Sequence, residues 1–440
     1  KENGLYGIVR LTPELIGHSN LLGWFINDEP DLNTTVYDVE IIPGKNLELN
    51  PRTPLGRIFD GDINSWSVLD PLQDAEITIK FKKELEIYEI GISLTISTDL
   101  SVAKDVVFLG DDDKEILKVT LEEKRGLQRF KLSQPVKLTS LKFKVLSIYQ
   151  HKNEYGSIGE ITGYDKDGNN VFLSPPRVVQ RIPPEEWIKQ YNGVKEKDKT
   201  RPVFLTLTAN FMDEFKRWDE ETKKRIYPEY VKNCDIVGFD VYPIYGWNRI
   251  DWIDYVAKGT KKLCQLAGNK PVFAWIETNK GSKWITPANQ KDVLPEHTRA
   301  EVWMAIIEGA TGIGYFTHAW VPSYTQFVPT ESMRKELKRL NEQITKLAPI
   351  ILSSPYTGKI EMKNENNLKC HFKAVEYNKE IWIFAQNLEY EKEGEFEIKL
   401  EGVNKGKIEV YDEAREIEIV DGEFKDYFKV LTEHIYRIRR

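Results

Sequence analysis

Two patterns of apolar residues alternate along the chain, and they predict two kinds of sheet. The first is a short, nearly continuous apolar run that stops at polar residues, as in Leu21–Ile26, which is followed by Asn-Asp-Glu-Pro. Four similar runs, which alternate with helical patterns, end near Thr208, Val241, Ile276 and Phe316. Buried parallel strands covered by helices have this pattern. We therefore expect an α/β domain with a parallel sheet.

The second pattern is a series of short alternating runs separated by turn residues, over residues 36–172 and again over 351–440. It indicates antiparallel strands without helices. The expected architecture is a discontinuous α/β domain over residues 1–35 and 175–347, interrupted by an antiparallel β-sandwich over 36–174. A small antiparallel β domain over 348–440 completes it. A domain whose termini lie close together can be inserted at a loop of the host domain with little loss of stability.

Composition narrows the class of protein. A chain of 440 residues is long enough for two to four domains, and its net charge of −7 gives no reason to expect nucleic-acid or membrane binding. No apolar run of about 18 residues predicts a membrane-spanning helix. The three cysteines lie far apart and there is no HExxH motif, so neither a disulfide framework nor a catalytic zinc is expected. Abundant Lys, Glu and Ile with few Cys and Met fit a hot environment.

The first residue, Lys1, is not a methionine, and no charged-then-apolar signal segment follows it. A processed or truncated chain is therefore expected. We expect a secreted or extracellular location and leave a cytoplasmic one open.

Two glutamates follow apolar strands at equivalent places. Glu29 comes after the first apolar run and Glu277 after Val272–Ile276, the fourth of five predicted strands. Because the carboxyl ends of barrel strands meet on one face, the two carboxylates are expected to face each other there, as glycoside hydrolysis requires. Asp28 competes with Glu29, since side chains alternate along a strand. An ordinary surface turn is the alternative for Glu29.

Aromatic residues are abundant, with 11 Trp, 20 Tyr and 19 Phe. A flat ring stacks on the apolar face of a sugar, so rings in loops at strand ends are candidate sugar contacts. These candidates are Trp247, Trp284, His318 and Trp320. Packing beneath a loop is the alternative for His318. Asp240, inside its strand, is expected to support Tyr242 or Arg201 rather than to touch substrate.

The segments Gly23–Pro30, Arg201–Val203, Gly238–Pro243, Phe273–Glu277 and Gly312–Trp320 resemble strands four to eight of the clan of (β/α)8 retaining glycoside hydrolases. The resemblance implies a TIM-type barrel with Glu29 as acid/base, Glu277 as nucleophile and Trp320 as an aromatic platform. It also implies that Tyr242 faces the substrate or orients the nucleophile. Strands one to three have no counterpart, so a separate N-terminal polypeptide or a homo-oligomer is expected to complete the barrel. Asp28 stands where the clan has Asn.

The stretch Phe59-Asp60-Gly61-Asp62 with Trp66, and later Gly156–Tyr164, resembles discoidin-like (factor V/VIII type C) modules. That resemblance implies a structural Ca²⁺ held by Asp60, Asp62 and Glu160, and oxygen donors of this kind suit a hard cation. A tight turn at Asp60-Gly61-Asp62 is the alternative.

The function expected from these features is hydrolysis of a β-linked oligo- or polysaccharide by a retaining double displacement. Glu277 would attack the anomeric carbon, while Glu29 would protonate the leaving oxygen and then activate water. The alternatives are a non-catalytic carbohydrate-binding scaffold and an inverting enzyme that uses Asp28. The sequence does not identify the sugar, the linkage or endo versus exo action.

Overall fold

The computed structural model describes residues 5–50, 52–364 and 366–439. The chain divides into two compact units. The parallel-sheet unit comprises Lys1–Leu32 and Gln180–Arg440, and the inserted unit comprises Asn33–Val179.

The parallel-sheet unit contains six strands whose order in the sheet is their order along the chain. Every neighbouring pair is parallel. The strands are β1 (Gly7–Val9), β2 (Leu21–Asp28), β3 (Val203–Thr208), β4 (Ile236–Asp240), β5 (Val272–Glu277) and β6 (Gly312–Phe316). The sequence predicted five of them. The described residues form an open sheet of six strands, with β1 and β6 at its edges, so a closed eight-stranded barrel is not shown.

Five helices accompany this sheet: α1 (Pro184–Lys197), α2 (Glu220–Lys232), α3 (Tyr255–Ala267), α4 (Pro295–Ile307) and α5 (Glu331–Ile351). Alternate residues of β3–β5, such as Leu205, Phe239 and Ile276, are buried in the core that the helices share. Residues that point the other way, such as Phe204, Phe273 and Trp275, pack edge to face on one another and stay partly exposed. The sheet therefore has one fully buried face. No helix in the described part of the chain is long and apolar enough to cross a membrane.

The C-terminal part of this unit is an eight-stranded antiparallel sheet. Its strands, in sheet order, are Ile360–Lys363, Gly394–Leu400, Glu423–Phe428, Arg415–Val420, Lys405–Val410, Glu433–Arg439, Glu380–Asn387 and Cys370–Tyr377. It has a core of its own, but its inner strands also contact α4. Trp303 of α4 stacks on Phe384 at 5.7 Å, and the side chain of Gln386 donates to the carbonyl of Ala300 at 3.0 Å.

The inserted unit is a sandwich-like arrangement of almost entirely antiparallel strands. Two strands dominate it, Glu76–Leu94 and Gly126–Val145, and they pair along most of their length. The remaining strands are Asn33–Val36, Glu40–Pro43, Glu48–Leu49, Ser67–Asp70, Leu100–Ala103, Asp105–Leu109, Glu115–Thr120, Ile148–Tyr149, Asn153–Tyr164 and Arg177–Gln180. Alternating Ile, Leu, Val and Phe residues from these strands fill a single core, as the sequence pattern predicts.

Candidate functional site

The carboxyl end of β2 is backbone-strained. Glu29 directly follows the strand, and its amide still donates to the carbonyl of Thr206 in β3 at 3.1 Å. Its φ is 46°, a left-handed conformation that costs a non-glycine residue about 1 kcal/mol or more. The following Pro30 restricts this residue further. Strain of this kind persists where the surrounding structure enforces it, and it is frequent at functional sites.

The carboxyl group of Glu29 is paired with that of Asp240, the last residue of β4. Two ionised carboxylates in contact have no hydrogen to share, so the pair holds a proton. Burial, followed by the charges of Glu29 and Asp28, raises the pKa of Asp240 well above its ordinary value. The Glu29 side chain is still 25% exposed, and Arg181 lies 3.6 Å from its Oε2. This carboxyl pair can therefore exchange a proton with a bound molecule.

The pKa of Glu29 results from opposing influences. Burial raises it most, and the Asp28 carboxylate raises it further. The hydrogen bond from Asp240 and the charges of Arg181 and Lys283 lower it. The net effect is an upward shift, which suits a group that must stay protonated to act as a general acid. Asp28 itself is exposed, and partial burial of its carboxyl raises its pKa as well.

Tyr242 lies beside this pair, and its expected contact with substrate stays a prediction. The ring packs 4.6 Å from Phe316 and 6.2 Å from Tyr245. Its pKa is raised well above 10, first by burial and then by the charges of Asp240, Asp28, Glu29 and Glu277. The phenol is therefore neutral and provides a hydroxyl donor next to the carboxyl groups.

A second buried carboxyl, Asp31, supports the turn after β2. It accepts hydrogen bonds from the amide of Thr208 at 2.9 Å, from its hydroxyl at 2.6 Å and from the Tyr227 hydroxyl at 3.0 Å. Burial raises its pKa to about 6 despite these donors. Asp31 was not among the residues predicted from the sequence, although its position three residues after the end of β2 could have indicated it.

Glu277, predicted to face Glu29, is placed differently. Its side chain has no exposed surface, and it accepts hydrogen bonds from the amides of Ile244 at 2.9 Å and Tyr245 at 2.6 Å. Its third partner is the carboxyl of Glu301 in α4, and burial raises the pKa of Glu277 to about 7. The carboxyl in contact with Glu29 is Asp240, while Glu277 is held by the loop after β4, and the expected meeting of Glu29 and Glu277 across the site stays a prediction. The role of Glu277 in catalysis stays a prediction.

Exposed aromatic rings lie in the loops after β5 and β6. The rings of Trp320 and Tyr324 are 5.0 Å apart, and His318 lies 5.3 Å from Trp320 and 3.9 Å from Phe316. Two amides, those of Trp320 and Val321, donate to the carbonyl of Gly281 and so join the two loops. We call Trp284, His318, Trp320 and Tyr324 the aromatic rim. Burial lowers the pKa of His318, which is therefore neutral at physiological pH.

The ammonium group of Lys283 connects the rim with the carboxyl groups. It lies 4.3 Å from the Trp320 ring centre and 5.4 Å from that of Trp284, and its charge lowers the pKa of Glu29. Trp320, Tyr324 and Trp284 are 36%, 55% and 60% exposed, so flat apolar surface is available beside the carboxyl pair. Trp247 is not part of the rim, because it packs at 5.3 Å on Phe215 and is partly buried.

The predicted calcium ligands lie in the inserted unit. Glu160 accepts a hydrogen bond from the amide of Gly61 at 3.0 Å, and its other oxygen is buried without a partner. Burial and the charges of Asp60 and Asp62 raise its pKa to about 7. Asp60 is occupied by the Ser65 hydroxyl and the Asp62 amide, as in a tight turn. No group of three acidic, His or Cys side chains is arranged around a metal position in the described residues, and calcium stays a prediction.

Comparisons with known proteins give low similarities. No protein-family model matches the chain, and no curated protein matches it. Among solved structures, a family 32 CBM from C. perfringens NanJ in complex with galactose is similar over 30% of this chain and 98% of its own, with 13% identity and a TM-score of 0.25. The CBM32 of AlyQ in complex with 4,5-unsaturated mannuronic acid has 11% identity and a TM-score of 0.24 over 30% of this chain and 98% of its own. CBM32-1 from a family 31 glycoside hydrolase of Clostridium perfringens has 13% identity and a TM-score of 0.26 over 29% of this chain and 94% of its own. Similarities at this level assign neither a family nor a ligand to the chain.

Proposed function

We propose that the protein hydrolyses a glycosidic bond, with Glu29 as the proton donor. The observation that carries this proposal is the Glu29–Asp240 carboxyl pair, which holds a proton at the carboxyl edge of a parallel sheet and remains open to solvent. Carboxyl groups of this kind perform the proton transfers of glycoside hydrolysis. The aromatic rim beside the pair supplies the apolar surface on which a sugar ring stacks.

The chemistry follows from the protonation of the pair. Glu29, with its raised pKa, donates a proton to the glycosidic oxygen as the bond to the anomeric carbon breaks. The positive charge that develops on the sugar is stabilised by the Asp28 carboxylate and by the Glu29–Asp240 pair, which has given its proton to the leaving oxygen. The neutral hydroxyl of Tyr242 donates a hydrogen bond within this group. Glu29, now ionised, takes a proton from the incoming water and is ready for another cycle.

Retention through a glycosyl-enzyme on Glu277 is the finer version of this proposal. It requires that the Glu277 carboxylate, now held by two backbone amides, reach the anomeric carbon. The anomer released first, read by proton NMR within minutes of mixing, distinguishes retention from inversion. Inversion would favour an exposed carboxylate such as Asp28 as the base that activates water.

The leaving group of the substrate tests the role of Glu29. A general acid contributes about 10²–10⁴-fold when the leaving group is poor and little when it is a dinitrophenolate. Glu29→Gln should therefore lose most of its activity on phenyl glycosides and oligosaccharides but retain much of it on dinitrophenyl glycosides. Glu14→Gln, an exposed glutamate of the same unit, is the matched control. An equal loss for both leaving groups would exclude Glu29 as the acid.

A non-catalytic carbohydrate-binding scaffold is the second candidate. The complete burial of Glu277 favours it, because the second predicted carboxylate is not presented to a ligand, whereas the aromatic rim is. Calorimetry with oligosaccharides would then show binding that Trp320→Ala weakens. The same mixtures, analysed after long incubation, would contain no cleavage products. Product formation by the wild-type protein would exclude this candidate.

A further inference from the structure

Two glutamates in the parallel-sheet unit are buried against each other. Glu277 ends β5 and Glu301 lies in α4, and neither side chain has any exposed surface. Their carboxyl groups are in hydrogen-bond contact, so one of them carries a proton. Apart from its contacts with Glu277, the carboxyl group of Glu301 has no hydrogen-bond partner among the described residues. An unpaired buried carboxylate would be very costly, so a neutral Glu301 that donates to Glu277 is the arrangement of lowest energy.

The ionised member of the pair is Glu277, because two backbone amides donate to its carboxyl group in addition to Glu301. Consecutive amides of the loop after β4, those of Ile244 and Tyr245, donate to its two oxygens at 2.9 and 2.6 Å. The Thr298 hydroxyl of α4 donates to its backbone carbonyl at 2.8 Å. Through these hydrogen bonds, Glu277 connects the end of β5 with the first turns of α4 and with the loop after β4.

That loop contains Tyr242, whose ring packs on Tyr245 and Phe316. Glu277 fixes the backbone two and three residues after Tyr242 and acts on its phenol through charge. The carboxyl groups of Asp240 and Glu29 also act on this phenol through charge. The loop therefore links the buried glutamates to the candidate site.

We propose that Glu277 and Glu301 form a one-proton carboxyl pair that holds Tyr242 against the Glu29–Asp240 pair, so that Glu277 is a positioning residue and does not attack the substrate. The inference rests on the proposed function for the role of Tyr242. The placement of the loop by Glu277 does not depend on it.

Hydrogen exchange tests the placement without any need for activity. In the wild-type protein, the amides of Ile244 and Tyr245 should be protected. In Glu277→Ala, and in Glu277→Gln if the alanine variant does not fold, they should exchange about tenfold faster or more, because a hydrogen bond to a charged acceptor is lost at each. Glu301→Gln is the matched control, since a glutamine amide still donates to Glu277. Unchanged protection in the Glu277 variants would overturn the inference whether or not the protein is an enzyme.

Trapping of a covalent glycosyl-enzyme, together with steady-state kinetics, tests whether Glu277 attacks the substrate or only positions Tyr242. A 2-deoxy-2-fluoro glycoside with a dinitrophenyl leaving group should not label Glu277, and azide should neither rescue Glu277→Gly nor form a glycosyl azide. Displacement of Tyr242 should lower kcat of Glu277→Gln by about 10²-fold with little change in KM. A covalent adduct on Glu277 would overturn the inference and support the retaining version of the function. Absence of hydrolysis by the wild-type protein would overturn the proposed function and leave hydrogen exchange as the deciding measurement.

Discussion

Glu29 combines a left-handed backbone with a carboxyl group whose pKa is raised. The strand before it is regular, and Pro30 after it limits the conformations available. The amide hydrogen bond to Thr206 holds the backbone in place. This placement turns the side chain toward Asp240, so backbone strain and side-chain chemistry have a common cause.

The strain can be measured with two substitutions that both remove the carboxylate. Glu29→Gly should be more stable than Glu29→Ala by about 1 kcal/mol, because glycine adopts a φ of 46° without steric cost. Chemical denaturation of the two variants gives the difference in the free energy of unfolding. Equal stabilities would show that the backbone at this position is not strained.

Because neighbouring charges shift the pKa of Glu29, substitutions of two of its neighbours should move the pH dependence of activity in opposite directions. After burial, the largest raising influence on it is the charge of Asp28, whereas Arg181 lowers it. A general acid is active while protonated, so activity falls as pH rises through its pKa. Asp28→Asn should therefore move the alkaline limb of kcat/KM to lower pH, and Arg181→Met should move it to higher pH. Shifts in the same direction would contradict the assignment of this limb to Glu29.

Strand ends made part of the site predictable. Glu29, Tyr242 and Trp320 were singled out because each follows an apolar run, and the structure places each of them at the carboxyl edge of the sheet. The partners of the glutamates were not predictable in the same way. Asp240 was expected to support Tyr242 or Arg201, and Glu301 was not considered, since no sequence pattern shows which carboxyl groups a fold brings into contact.

At the scale of elements, continuous apolar runs indicated the buried parallel strands, whereas the edge strand β1 was missed. β1 has three residues and no buried position, too few for a pattern. The long strands of the inserted unit were predicted only in pieces. Glu76–Leu94 and Gly126–Val145 pair through register shifts near Lys131 and Leu138, which interrupt the alternation that marks a strand.

Glu160 predicts how the stability of the inserted unit depends on pH and calcium. Its pKa of about 7 in the folded protein lies above the ordinary 4.5, so the stability that the protonated form provides is complete below about pH 4.5 and is lost as pH rises through about 7. With a calcium chelator present, the unfolding temperature of the inserted unit should therefore be lower at about pH 8 than at about pH 5. If Asp60, Asp62 and Glu160 bind Ca²⁺, adding calcium at the higher pH should restore it.

Two variants on the same strand show whether the pH and calcium dependence of stability comes from Glu160 or from other titrating groups. Glu160→Gln should abolish both the fall with pH and any response to calcium. The exposed neighbour Glu154, changed to Gln, should leave both unchanged. A calcium response that persists in Glu160→Gln would place the ion elsewhere.

At the scale of the whole molecule, both outer strands of the parallel sheet keep one edge without a partner strand in the described part of the chain. Such edges are templates for further strands. Completion of the sheet by a separate polypeptide or by a second copy stays a prediction. Sedimentation tests the second-copy version, which requires a species of twice 51.2 kDa whose fraction grows with concentration.

The C-terminal sheet is expected to unfold together with the helices of the parallel sheet. Phe384 is buried against Trp303 of α4, the helix that also carries Glu301. Phe384→Ala should cost about 3–5 kcal/mol, as other large-to-small changes in protein cores do. Calorimetry should show one transition at a lower temperature for the whole parallel-sheet unit, with faster amide exchange in α4.

Phe372, on the strand beside that of Phe384, provides a matched control because it is 36% exposed. Phe372→Ala should change stability by much less, since little of its surface leaves water on folding. If Phe384→Ala instead produced a separate early transition of the C-terminal sheet with exchange in α4 unchanged, the two sheets would be independent domains, as the sequence pattern alone suggested. If the C-terminal sheet and α4 instead lose stability together, the core around Trp303 also stabilises α4, the helix whose Glu301 donates a proton to Glu277.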